Sequence, residues 1–290
     1  MKTRIIAGLA MVPLLLVVYL GGYFLYAACF ILSIFAVREF YQAFENASEE
    51  AEITKPVKPS FIISLISIII LYTVVLLLDL SFLSLWICVT SAICFTMLFN
   101  HGKHKIIDVF VTIVGNIYIV FFLFHIVLIA VFFSVDSASS IGTNGLSVIG
   151  LKNPIWFVFL TAFGSDIFAY FAGVTLGKHK LCPSLSPKKT VEGLIGGILG
   201  STALCGVYAY FALPELFIHG LIIGAVGAGV ATMGDLTASA IKRKLDIKDY
   251  GHLIPGHGGI LDRFDSVLFT GPFVFFYLQS LLFIRVLIAS

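Results

Sequence analysis

The sequence has few charged residues, and this scarcity excludes an ordinary soluble protein. Only 12% of its 290 residues are charged, about half of the roughly 25% that is typical of soluble domains. Hydrophobic residues make up 59% of the chain, and the mean hydropathy is +1.06. A composition of this kind is typical of an integral membrane protein.

The chain also lacks cysteine motifs and long polar segments. Its five cysteines form no CxxC pair, so the sequence indicates neither a cysteine metal site nor a disulfide framework. The longest polar stretches, residues 38–60 and 134–153, are too short for a soluble domain and are interpreted as connecting loops. Any chemistry must therefore come from the membrane helices and from the edges of the membrane.

What the sequence does contain is a series of long apolar runs. A transmembrane helix needs roughly 20 mostly apolar residues, and such windows recur along the whole chain. We predict an all-α polytopic helical bundle of about nine transmembrane helices, with a tight hairpin at Gly21 and Gly22. The predicted windows are 5–20, 22–37, 61–78, 80–99, 107–133, 154–176, 191–212, 215–234 and 266–288.

The positions of the basic residues predict the orientation in the membrane. Lys and Arg are retained on the cytoplasmic side, and with the N-terminus inside, 16 of the 18 Lys and Arg fall in cytoplasmic segments. Only Lys152 and Arg285 fall on the opposite side. We therefore predict a cytoplasmic N-terminus, with residues 239–265 on the same side.

Residues 239–265 concentrate nine charged side chains between two apolar runs. A proline and three glycines within residues 255–259 interrupt any helix, and glycine lets successive N–H groups point at an anion. Asp262 and Asp265 share a face if the chain is helical there, with Arg263 between them. A basic loop attracted to anionic lipid would explain the Lys and Arg, but neither the glycines nor the aspartates.

Two further carboxylates lie in or next to predicted spans. A carboxylate at the centre of a spanning helix costs roughly 2.5 to 3.5 kcal/mol, and it usually faces the bundle interior or a cavity. Asp166 is the clearest case. Asp235 lies at the cytoplasmic end of its span, where it either ends the helix in water or joins Ser239 and Lys242 on one helical face.

A third basic segment, residues 177–193, is predicted on the same side of the membrane. Lys188 and Lys189 come directly before a helix that we predict to begin near Thr190, so a phosphate there could meet both ammonium groups and a helix N-terminus. The alternative is that these lysines serve only the orientation. Carboxylates beside clustered Lys and Arg also suit Mg²⁺, which takes one or two protein carboxylates together with phosphates.

These motifs together match a known signature. The matching residues are Ser239-Ala-Ile-Lys242-Arg243, Lys248-Asp249-Tyr-Gly251, and Leu253-Ile-Pro255-Gly-His257-Gly258-Gly259-Ile-Leu-Asp262-Arg263-Phe-Asp265, with Asp166, Tyr170, Gly173, Ser186-Pro187-Lys188-Lys189-Thr190 and Gly234-Asp235 upstream. They closely resemble the phosphatidate cytidylyltransferase family, also called CDP-diacylglycerol synthases. The resemblance extends through most of residues 154–288.

The resemblance implies an enzyme that joins CTP and phosphatidic acid into CDP-diacylglycerol and releases pyrophosphate. It implies dependence on Mg²⁺, with a second cation left open, and a homodimer among membrane lipids that binds no nucleic acid. We expect a bacterial inner (plasma) membrane protein with a cytoplasmic active site. The expected regions are 1–100 with about four spans, 101–153 with a middle helix and loops, and 154–290 with the catalytic membrane region.

The resemblance and the chemistry of the residues assign the following roles. The predicted catalytic residues are Asp235, Lys242, Asp262 and Arg263. The predicted metal ligands are Asp235 and Asp262, with Asp166 and Asp265 as further candidates. The predicted substrate-binding residues are Lys188, Lys189, Ser239, Arg243, His257, Gly258 and Gly259.

Three alternatives stay open from the sequence. A CTP-dependent polyprenol or phytol kinase would also need a basic and acidic site at the membrane edge. A cytidylyltransferase for an ether-linked lipid phosphate would differ only in its acceptor. An ion-coupled transporter would explain Asp166, but it predicts interrupted helices at corresponding positions of two halves, and the sequence has no such duplication.

Overall fold

The computed structural model describes residues 16–47, 51, 57–77, 81–99, 103–133, 154–251 and 258–289. The α-helices are α1 Gly22–Glu45, α2 Phe61–Leu77, α3 Ser81–Phe95, α4 Ile106–Val114, α5 Phe122–Phe133, α6 Trp156–Leu176, α7 Val191–Ala212, α8 Phe217–Lys244 and α9 Leu261–Ala289. Short 3₁₀ segments cover Thr96–Phe99 and Pro214–Leu216, and a π-helical segment, Gly115–Phe121, joins α4 to α5.

The helical architecture confirms the predicted all-α integral membrane protein. In hydrocarbon every backbone N–H and C=O must be paired within the chain, which a helix does by itself. Seven helices in the described part are long and apolar enough to cross a membrane, and a shorter apolar helix covers Phe61–Val74. The first predicted window, residues 5–20, lies mostly outside the described residues, so the count of about nine stays a prediction.

Helix α1 starts at the predicted glycine break but continues beyond its predicted end. Gly21 and Gly22 have positive φ values of 61° and 47°, so the predicted break falls where glycine is needed. The other arm of the predicted hairpin, residues 5–15, lies outside the described residues. The prediction that residues 38–60 are a loop is wrong for residues 38–45, because α1 continues to Glu45 and buries Phe40, Tyr41 and Ala43.

The described chain divides into two compact units. The first comprises Met1–Phe124 with Ile241–Arg263, and the second comprises His125–Ala240 with Phe264–Ser290. The division into the regions 1–100, 101–153 and 154–290 stays a prediction.

A buried polar network lies within the first unit. The Tyr41 hydroxyl lies 2.6 Å from Ser64 Oγ and donates to the Thr112 carbonyl at 2.9 Å. The Asn116 amide donates to Ser64 Oγ at 2.8 Å and to the same carbonyl at 2.9 Å. Buried polar groups require such partners. The network therefore connects α1, α2, α4 and the π-helical segment.

Close packing of α6 against α7 organises the second unit. A Cβ at Gly193 would lie 2.9 Å from the Ala169 carbonyl oxygen, and one at Gly197 would lie 2.9 Å from the Ser165 carbonyl oxygen. Small residues let two membrane helices approach this closely. Glycine at positions 193 and 197 therefore lets the backbones of α6 and α7 approach each other.

A β-hairpin between α6 and α7 was not predicted. Strands β1, Lys180–Cys182, and β2, Ser186–Thr190, are antiparallel and pair Lys180 with Thr190 and Cys182 with Ser186. At the end of β2, the Thr190 hydroxyl accepts a hydrogen bond from Gly193 N at 3.1 Å and caps α7. Such a cap contributes about 1 kcal/mol. The predicted helix start near Thr190 is confirmed.

We expect Gly197→Ala to destabilise the protein, because the new methyl group would collide with the backbone of α6. Overpacking of this kind costs roughly 1 to 3 kcal/mol. Gly229→Ala is the matched control, since a Cβ at Gly229 meets no atom within 4 Å. Thermal unfolding of both variants in the same detergent measures the difference. Equal melting temperatures would contradict the close packing of Gly197 against α6.

Candidate active site

A cavity of about 520 Å³ in the second unit gathers charges of both signs. Its acidic lining residues are Asp166 of α6 and Asp235 of α8, and its basic ones come from the hairpin: Lys180, Lys188 and Lys189. Apolar side chains complete the wall, among them Tyr170, Val174, Leu181 and Leu194. The cavity therefore combines a surface for anions with one for hydrocarbon.

Two of the predicted site residues form an ion pair at this cavity. Lys189 Nζ lies 2.5 Å from Asp235 Oδ2, and the two side chains are 25% and 26% exposed. The Ser239 hydroxyl donates to Asp235 Oδ1 at 3.3 Å, so the predicted proximity of Asp235 and Ser239 is confirmed. Partly exposed ion pairs contribute about 0 to 1 kcal/mol. Separating Lys189 from Asp235 therefore costs little.

The hairpin that carries these lysines is fixed to the start of α7 by Glu192. Its carboxylate accepts hydrogen bonds from Lys178 N at 3.0 Å and from His179 N at 3.2 Å, and it lies 2.7 Å from His179 Nδ1. Val191 N donates to the His179 carbonyl at 2.9 Å. The lysines thus extend from an anchored hairpin.

The charged segment of the signature lies in the first unit and contains a buried ion pair. Lys242 Nζ donates to Asp262 Oδ1 at 2.7 Å, with the side chains 12% and 7% exposed. The other oxygen, Oδ2, accepts from Tyr250 N at 2.8 Å and from Gly259 N at 3.0 Å. The ring centre of Tyr250 is 5.4 Å from Lys242 Nζ. Asp262 therefore holds both Lys242 and the backbone of its own segment.

The other predicted site residues of this segment are Gly258, Arg243, Arg263 and His257. Gly258 has a φ of +82°, which confirms that the glycine-rich turn uses conformations that side chains disfavour. Arg243 is exposed and lies on the last turn of α8, and Arg263 is half-buried. His257 lies outside the described residues.

Sequence reasoning missed Glu39, a buried carboxylate on α1 in the same unit. Glu39 is 6% exposed. Its Oε1 accepts from Ile260 N at 3.0 Å, and its Oε2 accepts from Leu261 N at 2.9 Å, where α9 begins. The signal in the sequence was a single carboxylate at the end of an apolar run, which the interpretation of residues 38–60 as a loop obscured.

The donor set fits Mg²⁺ only if a substrate contributes oxygens. Among the described residues no group of three or more His, Cys, Asp or Glu side chains could hold a metal ion. Mg²⁺ commonly takes one or two carboxylates and completes its shell with phosphates and water. Asp166 and Asp235 line one cavity beside three lysines, so these two carboxylates suit Mg²⁺ with a bound phosphate.

The other two predicted ligands are engaged by donors of the chain itself. Asp262 is paired with Lys242 and two amides. Asp265 Oδ1 accepts from Ser266 N at 2.7 Å and from Ser266 Oγ at 3.4 Å. Asp235 and Asp262 belong to different units. That they share one metal ion stays a prediction.

Comparison with known proteins identifies relatives over the whole chain. A family model described as "Cytidylyltransferase family" matches residues 2–281. Three proteins named phosphatidate cytidylyltransferase are similar to the chain. The one from Synechocystis is 31% identical over an alignment of 300 positions, which covers 96% of this chain and 95% of that protein.

The other two relatives match a shorter part at higher identity. The Bacillus subtilis protein is 46% identical over 125 residues, which cover 43% of this chain and 46% of that protein. The Rickettsia bellii protein is 42% identical over 139 residues, which cover 43% of this chain and 59% of that protein. The chain thus spans about half the length of these two relatives.

We expect Asp262→Asn to destabilise the protein more than Asp235→Asn. The first variant leaves the Lys242 ammonium, 12% exposed, without its counter-charge, which costs roughly 3 to 5 kcal/mol for a buried pair. The second breaks a partly solvated pair worth about 0 to 1 kcal/mol. Thermal unfolding of the two variants tests this order, and the reverse order would contradict it.

Proposed function

Because the chain belongs to the cytidylyltransferase family, we propose that it transfers the cytidylyl group of CTP to phosphatidic acid, giving CDP-diacylglycerol and pyrophosphate. The single observation that carries the proposal is the cavity in which three lysines and two aspartates meet apolar side chains. The name of the Synechocystis relative, aligned over 96% of this chain, supports phosphatidic acid as the acceptor. The reaction makes this chain a nucleotidyltransferase of phospholipid biosynthesis.

The chemistry of the reaction needs charge neutralisation more than a base. A phosphate oxygen of the lipid forms a bond to the α-phosphorus of CTP. The bond from that phosphorus to the oxygen bridging the α- and β-phosphates breaks, and pyrophosphate leaves with the electron pair. The nucleophile is already ionised at neutral pH, so it needs no general base. The two substrates repel each other, so catalysis depends on positioning and on fixed positive charge.

The lysines of the hairpin provide that charge. Lys189 gives up Asp235 for a phosphate oxygen, while Lys188 and Lys180 bind further oxygens of the triphosphate. Ser239 keeps Asp235 oriented from the next turn of α8. Asp166 and Asp235 would hold Mg²⁺, which would supply additional positive charge for the triphosphate.

The resemblance assigns phosphate contacts to the signature segment as well, which belongs to the first unit. Lys242 and Arg263 act on the reacting phosphates, and Arg243 binds an outer phosphate oxygen. The backbone of Gly258 and Gly259, with the side chain of His257, orients further oxygens. The Lys242 ammonium is already held by Asp262 at 2.7 Å and by the Tyr250 ring, so little reorganisation is needed before it acts.

The apolar part of the cavity suits a lipid acceptor. Tyr170 and Val174 line the cavity and are 64% and 68% exposed, which places apolar surface beside the charged wall. A diacyl lipid can keep its chains in hydrocarbon while its phosphate reaches the lysines. The positive-inside distribution supports a site at the cytoplasmic face of a bacterial inner membrane, where CTP is available. We also propose a homodimer, as the resemblance implies.

The position of the isotope in labelled CTP tests the reaction. We expect purified protein with phosphatidic acid and Mg²⁺ to incorporate label into lipid from CTP labelled at the α-phosphate, and to release label from the γ-phosphate as pyrophosphate. Excess EDTA should abolish both, and added Mg²⁺ should restore them. Transfer of the γ-phosphate to the lipid would instead indicate a kinase. Preference for an ether-linked lipid phosphate would correct the acceptor.

We expect Lys189→Met to lower kcat/KM about 100-fold, the usual cost of removing one positioned charge from a transition state. The matched control is Lys178→Met. Lys178 also lies between α6 and α7, but it is exposed and does not line the cavity. That variant should stay within about twofold of the wild type, since exposed lysines contribute little. Equal losses in both variants would refute the assignment of Lys189.

A further inference from the structure

Glu39 is buried at a position where its charge must serve a structural or a functional purpose. A carboxylate that is only 6% exposed is costly unless its oxygens accept hydrogen bonds. Its two oxygens accept from Ile260 N and Leu261 N, the amides that begin α9. A helix N-terminus favours a negative charge through its unpaired N–H groups. The contact therefore stabilises both the carboxylate and the start of α9.

The glycines of the signature make room for this carboxylate. A Cβ at Gly251 would lie 2.7 Å from Glu39 Oε1, and one at Gly259 would overlap the same carboxylate. A side chain at either position would therefore be too close to the Glu39 carboxylate. The φ angle of Gly251 is not positive, so space and not backbone conformation favours glycine there. Glu39 thus gives a physical reason for glycine at two positions of the signature, independent of any phosphate.

Glu39 connects to the reactive part of the segment through Asp262. Two carboxylates share four amides of this segment: Glu39 takes those of Ile260 and Leu261, and Asp262 takes those of Tyr250 and Gly259. Asp262 directly follows Leu261, and its other oxygen holds Lys242 at 2.7 Å. The position of the Lys242 ammonium therefore depends on where α9 begins.

The residue after Glu39 supports the same segment. The Phe40 ring lies 6.2 Å from the Tyr250 ring, and the Tyr250 ring lies 5.4 Å from Lys242 Nζ. Neighbouring residues of α1 thus contact the segment at two places, the Tyr250 ring and the start of α9.

We propose that Glu39 is a positioning residue for cytidylyl transfer: by holding the first amides of α9 it fixes Asp262 and, through it, the ammonium of Lys242. The proposal rests on the proposed function for its kinetic consequence. It assigns a role in the reaction to the N-terminal half of the chain, which sequence reasoning matched only as membrane helices. Glu39 touches no reacting atom in this proposal and acts only through Asp262.

The test compares Glu39→Gln with a matched buried carboxylate, Asp108. Asp108 is 1% exposed and accepts from Lys58 N at 2.7 Å and Lys105 N at 2.8 Å. It therefore resembles Glu39 in burial and in its two amide donors, but those donors lie outside the signature. Both Glu39→Gln and Asp108→Asn keep the size of the side chain and replace one acceptor oxygen with an amide donor.

We expect kcat per folded molecule to fall about 10- to 100-fold in Glu39→Gln, because small displacements of a positioned group have effects of this size. KM for CTP should change less than about threefold, since the lysines of the hairpin are untouched. Asp108→Asn should lose thermal stability to a similar extent but keep kcat within about threefold of the wild type. Equal kcat losses in the two variants would overturn the proposal.

Hydrogen–deuterium exchange gives a readout that does not depend on activity. Glu39→Gln should exchange faster in peptides that cover residues 258–262, and Asp108→Asn should not. Unchanged exchange in Glu39→Gln would overturn the proposal even if kcat fell. If the wild type transferred no cytidylyl group while exchange still responded to Glu39→Gln, the proposed function would fail and the contact of Glu39 with α9 would stand.

Gly251→Ala disturbs the same contact from the opposite side and leaves the Glu39 charge in place. Its methyl group would press on Glu39 Oε1, so we expect the same pattern of lowered kcat, nearly constant KM and faster exchange at residues 258–262. This variant decides the matter if Glu39→Gln does not fold. Wild-type kcat and exchange in Gly251→Ala would overturn the proposal.

Discussion

The structure depends on pairing every buried carboxylate within an apolar chain. Hydrocarbon offers no water to solvate a charge, so each carboxylate must find donors among backbone amides, hydroxyls or lysines. Glu39 and Asp108 each accept two backbone amides, and Asp262 accepts two amides and a lysine. The contacts of Asp108 and Glu39 hold the chain where α4 and α9 begin.

The carboxylates fall into two groups by their access to the cavity. Asp166 and Asp235 line it, and the partner of Asp235 is a lysine that is itself 25% exposed. Glu39 and Asp262 are enclosed and bind the segment that carries them or faces them. Exposed pairs can exchange partners when an anion arrives, whereas enclosed pairs maintain geometry. The same residue type thus lines a cavity in one place and holds backbone amides in another.

The parts that could be predicted from the sequence follow from local rules. Apolar length predicted most of the helices, and α7 begins at Val191, next to the predicted start near Thr190. The hairpin was missed because its strands have only three and five residues and carry Pro and Lys, with Thr190 as their one β-branched residue. Glu39 was missed because its partners lie 221 and 222 positions away, a distance that no local pattern reports.

The length of α8 has a consequence for the depth of the charged residues. Its 28 residues extend about 42 Å at roughly 1.5 Å per residue, against a hydrocarbon thickness of about 30 Å. When the helix is not tilted, about eight residues extend beyond the hydrocarbon, close to the length of the stretch from Asp235 to Lys244. A helix of this length can thus cross the bilayer and carry its own charges to the level of the headgroups. Bilayer thickness, and not only the sequence, then sets how far those charges stand above the acyl chains.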